Sequence, residues 1–458
     1  RPAPGLMRAE EDWSAFGRSG TGMQALDRLK YIELGQGRDA YLTLGGQARL
    51  AHEFFVNERF GDVPQDDTGS FILRLMPHAN LRLGSHFRGF VELKSTHETG
   101  RDGGPGPVDV NRLDWHQGFA EMSIGDPRVS DATSLSFRLG RQEMYYGAGR
   151  LLDVRDGLAV RRTFDAILTR FNTRHLRIDG LFAVVVADRR GVFDDGRYAA
   201  DTERARIWGA YAQTKALSLA GSGSRERTHG FDLYYIGVDQ DDLVFVQGSG
   251  SEIRHSAGGR WWSGGAGFMH DVEATYQWGS FENEQSSETD RIVAWGAESV
   301  LRYTFQKVRF APTMSVGGGA QSGDVDPTDG TLGSYRAPFP NLRWAGTTTG
   351  VGPGNGVGGT ASAGMQASKT FRFDVTARVF FRLSNNDATY SPAGFPLRFT
   401  DNTVHYVGSG VGVATTWTPH PLVSAFLRTE IFEPGGFFAE TDPSQAAWFV
   451  SIGSDFKF

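Results

Sequence analysis

Arginine is the residue type in this chain best placed to do chemistry by position. Of 47 basic residues only six are lysine (30, 94, 215, 307, 369 and 457), leaving 41 guanidinium groups. A guanidinium is planar, permanently charged and offers a fork of donors that matches a carboxylate. Arg138, Arg141, Arg155, Arg161 and Arg162 crowd one stretch with Glu143, Asp153, Asp156 and Asp165. Arg74, Arg82, Arg88, Arg177, Arg372, Arg378, Arg382 and Arg428 fall on the polar side of alternating stretches. Together these residues predict a polar surface whose guanidinium groups can recognise carboxylates. For any single arginine the competing reading is a cross-strand salt bridge in a wall.

Other chemistry finds little support. Eleven histidines are scattered without a Ser/His/Asp spacing, and no glycine-rich phosphate loop joins a strand to a helix. Neither an enzyme nor a cofactor is expected. Absence of cysteine excludes disulfides and thiolate metal sites. Asp324, Asp326 and Asp329 are spaced acids in a glycine-flanked loop, a weak candidate for calcium. Pro327 and the missing distal glutamate depart from an EF-hand, so a solvated loop or a lid competes. A net charge of -6 gives no reason to expect nucleic acid.

The elements that would position the arginines are strands. From Phe371 to Ser384 the odd positions are apolar or small, while the even ones hold Arg372, Asp374, Thr376, Arg378 and Arg382. That period of two belongs to a strand with one oily and one wet face. Similar runs recur, for 18 segments in all, the first at 40–57 and the last at 447–458. Most exceed the ~9–11 residues that carry a tilted strand across a bilayer. The longest apolar run, Leu181 to Ala187, is far short of a spanning helix. A membrane reading therefore requires a closed barrel, the other structure that pairs every backbone group in hydrocarbon. With roughly 16–18 strands its centre is an aqueous channel.

Connections alternate in length. Tight turns are expected near 84–85, 172–174 and 418–419, and essentially only Gln306 should join strands 12 and 13. Long loops are expected at 99–113, 147–161, 189–202, 322–356 and 385–402. Short inner turns and long outer loops are the habit of transmembrane barrels. Residues 1–38 are expected as an N-terminal periplasmic segment, tucked into or beneath the pore, and 39–458 as the barrel. The opening Arg1-Pro2-Ala3-Pro4 reads as an already processed end. Strict alternation raises one conflict. Phe137 and Leu139 facing lipid would carry Arg141 outward too, unless it lies beyond the apolar belt or a bulge at Gly140 turns it in.

The stretch from Phe137 through Arg141-Gln142-Glu143-Met144-Tyr145-Tyr146-Gly147 to Leu151 resembles the central motif of the alginate-export family of outer-membrane proteins. Val154-Arg155-Asp156-Gly157 and Arg161-Arg162-Thr163-Phe164-Asp165 continue the likeness, as do Tyr335 to Asn341, Phe426-Leu427-Arg428 and Phe432 to Phe437. Glu11 to Ser14 and Asp27 to Tyr31 resemble the start of many members. The resemblance implies an 18-stranded monomeric barrel in the bacterial outer membrane, surrounded by lipid and lipopolysaccharide. Its founding member secretes a polyuronate through a constricted, arginine-rich pore. An anionic saccharide and periplasmic secretion partners are the implied partners. Uptake of small anions, or a closed barrel whose loops bind a partner, are the alternatives.

Overall fold

Alternation along each strand fixes which side meets oil, and in the computed structural model it closes the chain into a barrel. The structure describes all residues except 1–4, 17–24, 36–39, 64, 66–67, 130, 158, 198–204, 216, 220–226, 287, 342–345, 347–349 and 399–401. The wall strands are β1 (Ala40–Val56), β2 (Ser70–Leu83), β3 (Phe87–Thr99), β4 (Asn111–Ile124), β5 (Ser134–Gln142) and β6 (Phe164–Asn172). Next come β7 (Leu176–Ala187), β8 (Ala205–Thr214), β9 (Arg227–Phe245), β10 (Gly248–Gly265), β11 (Phe268–Asn283) and β12 (Glu288–Thr304). The wall ends with β13 (Thr313–Gln321), β14 (Gly356–Gln366), β15 (Phe371–Arg382), β16 (Tyr406–His420), β17 (Val423–Pro434) and β18 (Ala447–Lys457). Each pairs antiparallel with the next, and β18 returns to β1 from Gln47↔Lys457 to Val56↔Trp448. All 18 expected segments are present in order. The ring thereby closes the sheet on itself.

The outside is apolar. Leu73, Leu139, Ile167, Phe182, Leu233, Leu301 and Ile452 are exposed, while Arg74, Arg88, Glu92, Asp179, Glu252 and Arg254 are buried inside. Trp278 and Trp295 mark one end of the apolar band, and Tyr303, Phe305, Phe371 and Trp417 mark the other. Such girdles sit at the two water interfaces of a bilayer.

Two expectations about connections are corrected. Residues 305–312 form a real turn, not the single Gln306, because Phe305 donates to the Pro312 carbonyl at 2.8 Å and Phe310 and Ala311 adopt positive φ. Pro312 has no N–H to offer a ladder. Two odd-numbered connections, 246–247 and 284–287, are short hairpins rather than long loops. The strands they join run past the apolar band, where polar residues such as Asp239, Gln240 and Glu252 still pair in the ladder.

The barrel wall dips where strands are short. β5 and β6 have nine residues each, so β4 rises beyond its neighbour. Val192 of the β7–β8 loop bridges to Leu113 on that edge. At the second dip Thr331 and Leu332 add to β12 in parallel. Gly140 keeps the ladder register on both sides, so no bulge turns Arg141 inward. Arg141 stays on the outer face above Leu139, binds Asp165 at 2.9 Å and donates to the Trp115 carbonyl at 3.3 Å. It caps a strand edge and is not a lumen residue.

The interior is also less uniformly polar than the alternation suggested. The inner faces of β6 to β9 carry Phe164, Leu168, Leu181, Val185, Ile207 and Ile236, all buried in one cluster. Met144, Leu151, Leu152, Tyr335 and Phe339 cover them from two loops folded into the barrel. Each fully buried large apolar side chain contributes about 1.5–3 kcal/mol, so the loops are docked on the wall.

Gly140 has φ +130, and an added Cβ would lie 2.3 Å from the Gly118 carbonyl oxygen. Gly140→Ala is expected to cost about 1–3 kcal/mol, read as a lower denaturation midpoint on heat-modifiable gels. Gly89→Ala, which meets open space, should leave the midpoint in place.

Candidate functional site

The chain leaves the wall after Gln142 and crosses the lumen as loop 143–163. Charge pairs tie this loop to opposite sides of the barrel. On one side Arg150 donates to Asp271, Glu273 and Glu298 at 2.8, 2.5 and 2.7 Å, reaching β11 and β12. On the other side Asp156 accepts from Arg74 at 2.7 Å and Arg161 at 3.1 Å. Arg49 of β1 contacts the same carboxylate at 3.4 Å, donates to the Asp156 carbonyl at 2.7 Å and holds Asp455 of β18 at 2.8 Å. Arg161 also binds Glu143 at 2.6 Å, and Glu143 meets His116 at 2.8 Å. Arg155, at φ +61, reaches Asp188 at 2.6 Å while its own N–H donates to Asp153 at 2.6 Å. The loop therefore bridges the lumen.

Burial alone would raise the Asp156 carboxyl, but Arg161, Arg74 and Arg49 overcome it and hold it well below the ordinary range. On the long-loop side burial pushes the Asp387 carboxyl up to about 6, against donors on Tyr390 and Ser334.

Residues 5–16 of the N-terminal segment enter the barrel from the short-turn end. Arg88 donates to the Ala9 carbonyl, Arg161 to the Leu6 carbonyl at 3.1 Å, and Arg8 to the Phe458 carbonyl at 2.6 Å. Glu10 binds Arg138 at 2.9 Å and Arg170 at 3.1 Å. Trp13 is buried beside the Lys30 ammonium, 5.2 Å from its ring.

The remaining sequence-predicted arginines serve different places. Arg138 binds Glu121 at 2.5 Å. Arg82 lies opposite Arg88 at the short-turn mouth. Arg162 stacks on Phe339 at 4.8 Å. Arg177 and Arg372 hold their own strand neighbours Asp179 and Asp374 at 2.5 and 2.6 Å. Arg378 meets Glu430 at 3.4 Å. Arg382 is buried and donates to the carbonyls of Asp387, Asn402 and Val404, so it anchors the β15–β16 loop rather than facing the passage.

The spaced acids are not arranged as a cation site. Asp324 accepts from Gln247, Gly333 and Asp326, Asp326 from Thr328, and Asp329 from Thr331, so each caps loop donors. One carboxylate trio is gathered among the described residues, Asp114, Asp194 and Asp195, and Lys94 already lies 2.6 Å from Asp195.

Open space remains where the loop leaves it. A cavity of about 260 Å³ is lined by Leu6, Arg49, Tyr145, Arg155, Asp156, Asn341 and Arg428. A second, of about 150 Å³, is lined by Gly346, Asp374, Thr376, Arg378, Arg428 and Glu430. Arg428 belongs to both. The neighbouring wall carries small inward residues, Gly358, Thr360, Ser362 and Thr376, none of them buried. Arg49, Arg150 and Arg170 were not foreseen as site residues. Arg49 alternates with Gln47 on β1, a readable signal. Arg150 and Arg170 gave none that distinguished them from other arginines.

A family model described as alginate export matches residues 40–450. The chain belongs to the alginate export family. No curated protein matches the sequence. Among solved structures this family member is similar to OccD3 (OpdP) of Pseudomonas aeruginosa, with TM-score 0.56 and 10% identity over 100% of this chain and 99% of that one. It is also similar to OccAB2 of Acinetobacter baumannii, with TM-score 0.58 and 9% identity over 94% and 99%. For the outer membrane protein OprD of P. aeruginosa the values are 0.51 and 11% over 93% and 94%. At such identities the likeness is one of fold. This alginate-export-family barrel lies in the Gram-negative outer membrane, and family and fold together support a passive channel.

A carboxyl whose folded pKa is depressed gives stability that is complete above its unfolded value near pH 4 and is lost only below it. The crossing loop should therefore stay docked, and single-channel current steady, from pH 8 down to about pH 4. Asp156→Asn should give a noisier and larger current throughout that range. An unchanged trace in the variant would remove Asp156 as the loop's anchor.

Proposed function

We propose that the protein is a passive channel for an anionic saccharide polymer or oligomer, an alginate-like polyuronate, in the export direction. The observation that carries this reading is the constriction itself. Arg49, Arg155 and Arg428 border one cavity together with two loop carboxylates, Asp153 and Asp156. Most guanidinium charge there is held rigid by acids, which tempers the attraction so that a passing carboxylate is bound and released. A polyuronate presents one carboxylate per ring, and Arg428, shared by both cavities, is placed to hand successive rings along. The protein works as a monomer within lipid and lipopolysaccharide, and periplasmic secretion partners deliver the polymer.

A second reading, uptake of small anionic solutes, is favoured by size. Cavities of about 260 and 150 Å³ fall below the roughly 300–1,000 Å³ of sites for drug-sized ligands. Direction separates the readings, because polymer entry from the short-turn side requires the N-terminal segment to yield.

Planar-bilayer recordings test both. Oligomannuronates are expected to block current at lower concentrations than neutral oligosaccharides of equal length. Arg428→Ala should raise the half-blocking concentration roughly ten- to a hundredfold, the worth of about one charge-assisted hydrogen bond. Equal block by charged and neutral sugars ends the polyuronate reading. Block by monomeric uronates alone selects the uptake reading.

A further inference from the structure

Glu10 belongs to the inserted N-terminal segment, yet its carboxylate sits where a ligand's would. Arg138 Nη1 donates to Oε1 at 2.9 Å, and Arg170 Nη1 donates to Oε2 at 3.1 Å. The two guanidinium groups project from the adjacent strands β5 and β6, whose register runs Ser136↔Arg170 and Arg138↔Leu168. They straddle one carboxylate, the arrangement that gives the strong, oriented pairs.

The wall around them is short of negative charge without Glu10. Arg138 holds Glu121 at 2.5 Å, and Arg88 stands 4.0 Å from the same group. Arg170 and Arg177 share Asp179, at 3.0 and 2.5 Å. Four guanidinium groups thus face two wall carboxylates, and Glu10 supplies the third acid. The Glu10 side chain is 38% exposed, whereas that of Arg138 is 4% exposed. The arginines are therefore built into the wall, and the acid they hold is reachable from the water of the passage.

Two further contacts of the segment are of a kind that an anion would compete for. Arg88 and Arg161 donate to the backbone carbonyls of Ala9 and Leu6. A carbonyl is a weaker acceptor than a carboxylate, so these donors would turn to an incoming acid. Ala9 itself is buried against Phe90 and Phe119, which hides that side chain while the segment is seated.

We propose that Arg138 and Arg170 form a carboxylate-binding site of the passage, occupied in cis by Glu10, and that an acidic sugar takes the place of Glu10 and unseats the segment. The sugar as ligand rests on the function proposed above. The tethered self-ligand is a separate claim about this wall.

The chain has no cysteine, so Ala9→Cys provides a single reporter. In the purified full-length barrel, its labelling by a water-soluble thiosulfonate reagent reads how often the segment lifts. Trimannuronate is expected to raise the labelling rate roughly tenfold, and maltotriose to leave it unchanged. Glu10→Gln in the same background should raise the rate roughly tenfold without sugar, because removing the self-ligand raises the fraction of open wall sites. In bilayers Glu10→Gln should lower the half-blocking concentration of trimannuronate by a similar factor. Heat-modifiable gel mobility checks that each variant is folded, and Glu10→Asp, with a shorter reach, is the second variant. A labelling rate that responds to neither trimannuronate nor Glu10→Gln overturns the proposal, even if trimannuronate still blocks the parent channel. Labelling that responds to trimannuronate while current does not would keep the wall site and sink the channel reading instead.

Discussion

A peptide group in hydrocarbon has no water to turn to, and this constraint organises the whole molecule. Each wall strand must find partners on both sides along its spanning length, so the sheet cannot stop at an edge. The closing pair, β1 with β18, completes the ring from Gln47↔Lys457 to Val56↔Trp448. Where β5 and β13 are too short to cover their neighbours, other groups take over. Val192 bridges to Leu113, Arg141 caps the Trp115 carbonyl, and Thr331 and Leu332 join β12. The irregular parts of the wall are repairs to that single requirement.

Closure creates a second problem, which the arginines solve. Inward charges sit in a narrow space where a lone ion is costly and a paired one is tolerated. Asp156 with Arg49, Arg74 and Arg161, and Glu252 with Arg254 and Arg336, are such pairings. Most guanidinium groups in the lumen therefore hold structure together. They fix the crossing loop, the seam and the inserted segment. A few, Arg428 above all, border open water. The inward arginines are thus mainly a scaffold of charge pairs.

The loops owe their positions to both kinds of force. Charge pairs fix where 143–163 crosses, and the apolar inner faces of β6 to β9 fix how deeply it lies. Removing water from Leu152, Phe164 and Phe339 gives the loop a seat, and the pairs then choose its register. Residues 322–355 share that seat through Tyr335 and Phe339. The cavity bordered by Arg378, Arg428 and Glu430 lies along β15 to β17.

The sequence by itself determined the number, order and facing of the strands. A period of two is local, so Phe371 to Ser384 announces its oily and wet sides without help from any other segment. It also put Arg74, Arg88 and Arg138 on inner faces, where the structure buries them. What it left open was which of the arginines pair within the structure and which border open space. Arg382 and Arg428 alternate in much the same way along their strands, yet one is buried under a loop and the other lines two cavities. Arg141 sits in the family motif and faces outward. The role of Arg150, and the entry of Glu10 into the barrel, depend on contacts between residues more than a hundred positions apart. Strand facing comes from backbone geometry within a few residues. The partner of a charge comes from which distant segments are brought together, and only the closed barrel with its inserted loops decides that.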